Sequence, residues 1–294
     1  MLFLIRVDPI TTYAEVEKGQ KVSLRQIARR GALDFLGWKT RMSGNNQLKS
    51  QPRIQFIYIH HIFLDEIQPF RNLLGAWAED FTFISHSEAV RRMRENEIDR
   101  PYMAFSSDDG FKNNLDAARI LEEFGATACF FLNTRTIGLN DSRVIEQFCK
   151  EQLHFPPVDF MNWTEVDSLQ KRGHEMGSHT SGHFNVARLS LAAFEEDLHQ
   201  TKAAIEANTG PIQHFAFPYG RWNHFSEQAL QATFDAGFES VSTAERGCHL
   251  PDDTTGNRMI FRDHVLAQWP LHHFDYFFEA NVRKALKNES QPYQ

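Results

Sequence analysis

Cysteine is scarce in this sequence, and its scarcity restricts the class of protein. The 294 residues contain three cysteines, Cys129, Cys149 and Cys248, and no Cys-x-x-Cys pair. One thiol would be left over if the other two formed a bridge, so the pattern favours reduced thiols over a disulfide framework. Because reduced thiols are typical of the cytoplasm, we expect a cytoplasmic protein.

Long apolar runs and long basic runs are also missing. Residues 2–5 form an apolar run of only four residues, too short for the core of a signal peptide. No later stretch is long enough to span a bilayer. The formal net charge is −7, and nucleic acid binding needs a clustered Lys/Arg face that neutralises phosphates. The densest basic cluster, residues 91–94, falls on a short predicted helix and is typical of a solvated face. We therefore expect neither a membrane span nor a nucleic-acid partner.

From about residue 54 onward, strand-like and helix-like segments alternate. Residues 126–132, for example, are an apolar run that predicts a fully buried strand, and apolar residues at helical spacing precede it. Repeated alternation of this kind predicts parallel strands covered by helices, in an α/β barrel or a doubly wound sheet.

The pattern also suggests a division of the chain. We assign residues 51–294 to one barrel-like domain and residues 1–50, which break the alternation, to an N-terminal extension. Residues 138–160 contain two consecutive prolines and no clear periodicity, so we expect a long loop or lid there.

Chemistry-bearing residues follow several of the predicted strands. In α/β barrels the active site lies at the carboxyl ends of the strands. Independent segments place polar residues at or just beyond such ends, namely Asp108, Asp109, His179, Tyr219 and His264.

Two of these segments together predict a metal site. Asp108 and Asp109 are followed by Gly110, which permits the bend that lets both carboxylates reach one site. His179 and His183 follow a second strand at an i, i+4 spacing. One carboxylate and two imidazoles form a three-ligand catalytic site, and the second carboxylate is free to accept a proton. Either segment alone is weaker: Asp-Asp-Gly is typical of a turn, and 14 histidines produce such spacings by chance.

These motifs resemble those of the polysaccharide deacetylase family, the NodB-homology carbohydrate esterases. The family's first motif, usually Thr-Phe-Asp-Asp-Gly, stands here as Ser-Ser-Asp-Asp-Gly at 106–110. The second, His-Ser/Thr-x-x-His, is intact at 179–183, and Pro-Tyr-Gly of the third stands at 218–220. The resemblance covers about residues 54–265. It implies a distorted (β/α) barrel of about seven parallel strands, of the NodB-homology type.

The resemblance also implies roles for individual residues. Asp108 would be the general base, and Asp109, His179 and His183 would hold a divalent metal, with Zn²⁺ expected and Co²⁺, Mn²⁺ or Fe²⁺ as alternatives. The backbone N–H of Tyr219 would stabilise the oxyanion. The reaction would be hydrolysis of an N-acetyl group on an amino sugar.

The sequence departs from the family pattern at two places. Ala216 stands where the family often has an arginine that orients the base, and Arg262 is a candidate to supply that charge from the last predicted strand. The late Leu-x-His motif of the general acid is not cleanly present, and His264 is our candidate for that role. Pro218 and Trp222 are predicted substrate-binding residues, although Trp222 is equally compatible with a buried aromatic.

Three functions are compatible with these residues. The leading one is a metal-dependent deacetylase acting on an amino-sugar glycan or its intracellular precursor, in the biosynthesis of a surface polysaccharide. The second is another amide hydrolase on the same scaffold, such as a deformylase or a cyclic amidase. The third, prompted by Ser107 and Ala216, is a catalytically decayed sugar-binding protein. His60 and His61, at the end of the first predicted strand, are weaker candidates for a substrate contact.

Overall fold

A computed structural model describes residues 8–19, 23–43, 46–252 and 259–287, so the short apolar run at residues 2–5 lies outside the described residues. Within these ranges the strands are β1 (Arg53–Ile59), β2 (Thr82–Phe83), β3 (Pro101–Ser107), β4 (Ala128–Leu132), β5 (Glu175–Ser178), β6 (His214–Ala216), β7 (Ser240–Ser242), β8 (Met259–Ile260) and β9 (Arg262–His264). The α-helices of the same ranges are α1 (Tyr13–Lys18), α2 (Leu24–Ser43), α3 (Asn46–Lys49), α4 (Ile67–Trp77), α5 (His86–Glu95), α6 (Asn114–Glu123), α7 (Ser142–Phe148), α8 (Trp163–Lys171), α9 (Leu191–Thr209), α10 (Glu227–Asp235) and α11 (Leu271–Leu286).

The strands form one parallel sheet that curls into a nearly closed barrel. Its order is β8-β7-β6-β5-β4-β3-β1-β9, with β2 paired to β3. The two outer strands, β8 and β9, are consecutive in the chain and are separated only by Phe261, so the two edges of the sheet meet there. The predicted distorted (β/α) barrel is therefore confirmed. The sequence predicted a single last strand, and the structure has two short strands, β8 and β9, in its place. Both pair in parallel, β8 with β7 and β9 with β1.

Strand β1 shows how the barrel is packed. All seven of its residues are buried, and successive side chains of a strand point to opposite faces. Ile57 and Ile59 pack in the cluster that contains α4 and α6 residues. Ile54 and Phe56 pack in a second cluster with residues of α5. A strand buried on both faces reads as an apolar run, which is why the sequence predicted it well.

The described part of the N-terminal extension packs against the barrel. The Tyr13 backbone N–H donates to Asp65 Oδ1 at 2.8 Å, and Val16 on α1 is buried. Helix α2 lies against α11, where Arg41 Nε donates to Asp275 Oδ2 at 2.6 Å. At Gly37 a Cβ atom would lie 2.3 Å from the His272 carbonyl oxygen, so glycine allows the close approach of these helices.

The predicted loop at 138–160 is more ordered than its sequence suggested. Asp141 caps α7, its side chain accepting a hydrogen bond from the Arg143 N–H, and a π-helical turn, Cys149–Leu153, follows. Ile145 and Cys149 are buried in an apolar cluster with Val16 of the extension. Tertiary packing therefore stabilises a segment whose short helix carries little periodicity of its own.

No helix in the described ranges is both long enough and apolar enough to cross a lipid bilayer.

Candidate active site

A cavity of about 470 Å³ opens at the carboxyl ends of the barrel strands. This is the end at which α/β barrels place their chemistry. The residues that line it include Asp108, Asp109, His179, His183, Arg262 and His264. The topology thus brings together side chains that are up to 156 positions apart in the sequence.

Asp109, His179 and His183 converge at the floor of this cavity. Asp109 Oδ1 lies 3.6 Å from Nε2 of His179 and 3.6 Å from Nε2 of His183. All three side chains are buried. Their ligand atoms form a group that is able to hold a metal ion, with the two imidazoles and one carboxylate of a catalytic zinc-type site.

The carboxylate of this group lacks what a buried anion requires. Asp109 Oδ1 is buried and has no hydrogen-bond partner among the described residues. Burial, reinforced by the neighbouring Asp108 charge, raises the pKa of Asp109 well above its usual value. Because a buried carboxylate without a partner is costly, the site fits a bound cation, which would supply the missing charge.

The two imidazoles are prepared to act as ligands. Burial lowers the pKa of His179 and lowers that of His183 still further, so both rings are neutral with a lone pair available. His179 Nδ1 donates to the Ala216 carbonyl oxygen at 2.7 Å. That hydrogen bond fixes the tautomer that leaves Nε2 free, as in many metal-binding histidines.

Unusual backbone conformations concentrate at this site. Seven non-glycine residues of the described ranges have positive φ, and four of them are Asp109, Thr180, His183 and Tyr219, with φ values of 73°, 60°, 54° and 65°. Such conformations are unfavourable and persist where the surrounding structure holds them, often at functional sites. The turns after β3, β5 and β6 therefore place Asp109, His183 and Tyr219 at the cavity at a local energetic cost. Thr180 instead accepts a hydrogen bond from the Phe184 N–H within the turn.

Asp108 has a different environment from that of Asp109. Arg262 Nη1 donates to Asp108 Oδ1 at 2.8 Å and Arg262 Nη2 donates to Oδ2 at 2.9 Å. This is a bidentate, charge-assisted pair. Burial by itself would raise the pKa of Asp108, but the Arg262 charge and hydrogen bonds, with His179, lower it to about 2. The pKa values of the two adjacent aspartates are thus shifted in opposite directions.

The guanidinium of Arg262 is held on all sides. It is buried, its Nε donates to the Thr243 carbonyl oxygen at 2.8 Å, and its Nη1 also donates to Ser106 Oγ at 3.1 Å. The charged group lies 4.5 Å from the centre of the Tyr58 ring. Strand β9 therefore places a guanidinium beside Asp108. Ala216, at the position of the missing arginine, is fully buried in a small cluster with Cys129 and Phe131.

A pair of histidines lines the cavity beside this ion pair. His60 Nδ1 lies 3.1 Å from His264 Nε2. Burial lowers the pKa of His60 to about 4, and burial together with His60 lowers that of His264 well below its usual value. Both residues were candidates from the sequence. The sequence did not show that β1 and β9 are neighbouring strands, which is why the two rings are in contact.

The remaining predicted residues differ in position. Tyr219 lines the cavity, and its ring centre lies 4.8 Å from that of His183. Pro218 and Trp222 are not among the described residues that line the cavity. Trp222 is half-buried with its ring edge-on to Phe261, in the manner of the buried aromatic that was the alternative interpretation.

Several lining residues carried no signal in the sequence. Tyr13 and Val16 of α1 and Leu153, His154 and Phe155 after α7 all face the cavity. The Phe155 and His61 rings are stacked with centroids 5.4 Å apart. These residues belong to no motif and come from segments that lie outside the strand–helix alternation, so only the tertiary structure brings them to the site.

Comparisons with known proteins agree with this geometry. A family model described as polysaccharide deacetylase matches residues 83–241, which is more than half of the chain. A search of curated protein sequences gives no match.

Solved structures share the fold at low sequence identity. The chain is similar to deacetylase PplD of Streptococcus pyogenes in complex with acetate, with a TM-score of 0.59 and 16% identity over 76% of this chain and 96% of that one. It is similar to IcaB of Ammonifex degensii, with a TM-score of 0.60 and 16% identity over 77% and 99%. It is also similar to the polysaccharide deacetylase BC0361 of Bacillus cereus, with a TM-score of 0.60 and 15% identity over 78% and 69%.

Proposed function

The chain belongs to the polysaccharide deacetylase family, and from that premise we propose that it is a metal-dependent hydrolase that removes an N-acetyl group from an amino sugar of a glycan or glycan precursor. The observation that carries the proposal is that two adjacent aspartates have opposite electrostatic environments. Asp109 lies between two neutral imidazoles without a counter-charge. Asp108 is held ionised by Arg262.

In this proposal Asp109, His179 and His183 hold the metal. Zn²⁺ is our first choice, and Co²⁺, Mn²⁺ and Fe²⁺ also suit two imidazoles and a carboxylate. When bound, such an ion polarises the amide carbonyl and makes water more acidic. The Ala216 carbonyl oxygen accepts from His179 Nδ1, so that Nε2 would be the ligand atom.

Asp108 is the proposed general base. Its low pKa keeps it deprotonated at neutral pH, ready to accept a proton from the attacking water. Arg262 is a positioning residue, because its two hydrogen bonds fix both carboxylate oxygens. The charge at position 262 takes over the task that the family often gives to an arginine at the position of Ala216.

The backbone N–H of Tyr219 is the proposed donor to the oxyanion of the tetrahedral intermediate, at a position fixed by its unusual φ. We propose His264, in contact with His60, as the source of the proton for the departing amine. Both rings are neutral at rest, so the proton that Asp108 accepts from water must pass to this pair before it reaches the amine.

We further propose a cytoplasmic glycan precursor of a surface polysaccharide as the substrate. All three cysteines are buried, and Cys129 and Cys149 form no disulfide, which suits a reducing compartment. Pro218 and Trp222 do not line the cavity, so we propose them as contacts for a substrate whose sugar chain extends beyond it.

The test measures metal content and acetate release together. Purified, metal-analysed protein is incubated with N-acetylglucosamine oligomers and with UDP-N-acetylglucosamine. We expect acetate that requires bound metal. Asp108→Asn should keep the metal and lose about 10²–10⁴-fold in turnover, the usual contribution of a general base. Asp116→Asn, on the exposed side of α6, is the matched control and should behave like wild type.

Two results would contradict this function. Bound metal without acetate release, but with turnover of formyl or cyclic amides, would make the protein a different amide hydrolase. A protein that binds amino-sugar oligomers but takes up neither zinc nor cobalt would be a non-catalytic binding protein. Normal activity of Asp108→Asn would remove the base assignment alone.

A further inference from the structure

Helix α2 exposes a row of large apolar side chains to solvent. The row consists of Leu24, Ile27, Phe35, Trp38 and Met42, which are 57–86% exposed and are called the outer row below. In the described part of the chain nine large apolar residues are exposed, and these are five of them. Scattered apolar residues need no explanation, but large apolar side chains grouped on one face of a helix indicate an interaction surface. Gly31 separates the group into Leu24 and Ile27 on one side and Phe35, Trp38 and Met42 on the other.

The outer row lies opposite the side of α2 that packs on the barrel. The inner side consists of Leu33, Leu36, Gly37 and Thr40, which are partly or fully buried, and Gly37 meets the backbone of α11. Since successive helix residues are rotated by about 100°, the outer row falls within an arc of about 80° on the far side. The helix therefore has two apolar faces, and the barrel covers only one.

Four of the five basic residues of α2 flank the outer row, Arg25 and Lys39 on one side and Arg30 and Arg41 on the other. The helix carries five Lys or Arg residues and a single acidic residue, Asp34, in a chain whose net charge is −7. Asp34 accepts hydrogen bonds from the inner side, where His273 Nε2 lies 2.7 Å from its Oδ1. Arg29 lies on the inner side, and Arg41 is paired with Asp275 of α11. Arg25, Arg30 and Lys39 are therefore the flanking residues that the proposal uses.

This combination distinguishes between possible occupants. An amphipathic helix with Trp, Phe and Leu on one face and Lys and Arg beside it is typical of helices that lie in a membrane interface. Basic residues near such a surface are attracted by anionic lipids. A second copy of the chain docked symmetrically through the same face would bring its basic flanks against those of the first, which is unfavourable.

We propose that the outer row of α2 docks on an anionic lipid surface, with the helix axis in the plane of the interface. At about 1.5 Å per residue the 20-residue helix offers a contact about 30 Å long. The aromatic and aliphatic side chains enter the interface, and the flanking Arg and Lys side chains contact lipid phosphates. The inner side keeps the barrel attached to the docked helix.

The experiment is co-sedimentation of the full chain with phosphatidylcholine vesicles, with and without about one third phosphatidylglycerol. We expect binding to the anionic vesicles only, weakening as salt shortens the electrostatic range. The double variant Phe35→Ser/Trp38→Ser should lower the partition coefficient at least tenfold. Leu191→Ser, at an exposed apolar position of α9, is the matched control and should bind like wild type.

Other measurements make failure informative. The Phe35→Ser/Trp38→Ser variant should keep the wild-type thermal unfolding temperature, because both side chains are exposed, so a loss of binding is not a loss of fold. Failure to bind anionic vesicles at low salt would overturn the proposal. So would equal binding by wild type and the double variant. A dimer in sedimentation equilibrium that the double variant dissociates would assign the surface to a second copy instead.

Discussion

Buried histidines lie at both ends of the barrel, and the two groups differ in what their nitrogens contact. At the amino ends of the strands, His214 has both nitrogens 2.8 Å from serine hydroxyls, those of Ser87 and Ser240. His174 Nε2 lies 2.9 Å from Glu122 Oε1. His214 and His174 are satisfied by the protein itself and connect neighbouring elements. His86, at the same end, has no hydrogen-bond partner among the described residues, but it belongs to no group of three or more converging ligand atoms among them.

At the carboxyl ends the histidines converge on a carboxylate that is too far away for a hydrogen bond. Nε2 of His179 and of His183 lies 3.6 Å from Asp109 Oδ1, which has no partner among the described residues. His174 and His214 at one end and His179 and His183 at the other are all buried, so burial alone does not indicate function. The informative property is a set of buried ligand atoms that converge without satisfying one another.

The largest expected effect is a loss of activity from a substitution in the proposed metal site, at the carboxyl ends of the strands. A substitution at the amino ends should leave activity unchanged. Asp109→Asn removes the charged ligand, so metal content and acetate release should both fall, the latter at least about 10³-fold, since a catalytic metal supplies several kcal/mol. His214→Gln is the counterpart at the opposite end and should keep the metal while lowering the unfolding temperature. Metal loss in His214→Gln, or retained activity in Asp109→Asn, would contradict the contrast between the two ends.

A smaller effect should follow from Arg262→Lys. Lysine keeps the charge but cannot form the bidentate pair with Asp108, so turnover should fall about 10–10²-fold through misorientation of the base. Burial by itself raises the pKa of Asp108, and Arg262 opposes it. With the pair weakened, the pKa rises, and the acid limb of the pH–rate profile should move to higher pH. Arg221→Lys, exposed and paired with Glu245, is the matched control. An unmoved acid limb would show that Arg262 does not set the protonation of Asp108.

The smallest expected effect concerns His86, a fully buried histidine at the amino ends. Both of its ring nitrogens lack a hydrogen-bond partner among the described residues, and burial lowers its pKa well below 6.5. As pH falls below 6.5, His86 becomes protonated in the unfolded chain but stays neutral in the native state. The native state therefore loses stability relative to the unfolded state. His86→Leu should remove this loss and stabilise the protein by about 1 kcal/mol.

The measurement for His86 is thermal unfolding as a function of pH. The stability advantage of His86→Leu over wild type should grow as pH falls below 6.5. His199→Leu, at an exposed position of α9, is the control and should show no such trend. An advantage that stays constant with pH would mean that the effect is one of packing and not of protonation.

Much of the barrel was predictable because its signals are local. β1 and β4 are buried on both faces and read as apolar runs. The segment after α7 was not predictable in the same way. Its π-helical turn, Cys149–Leu153, is held by contacts with α1 and the loop after β3, and α1 is more than a hundred residues away from the turn in the chain.

The candidate site divides in the same manner. Asp108, Asp109, His179 and His183 were identifiable because each pair stands within a few residues in the chain. The pairing of Arg262 with Asp108 was a hypothesis, because nothing in the sequence shows that β9 lies beside β1. The structure also places Trp222 away from the described cavity lining and His60 in contact with His264.

The sequence by itself determined the family, the parallel α/β architecture and the two motifs of the proposed metal and base residues, since all of these depend on local spacing. Only the tertiary structure decided which arginine pairs with Asp108, which side chains close the cavity from α1, and that one face of α2 remains uncovered. Those features depend on contacts between segments far apart in the chain. Such contacts are set by the closure of the barrel and the packing of helices on it. They produce no periodic pattern in the sequence.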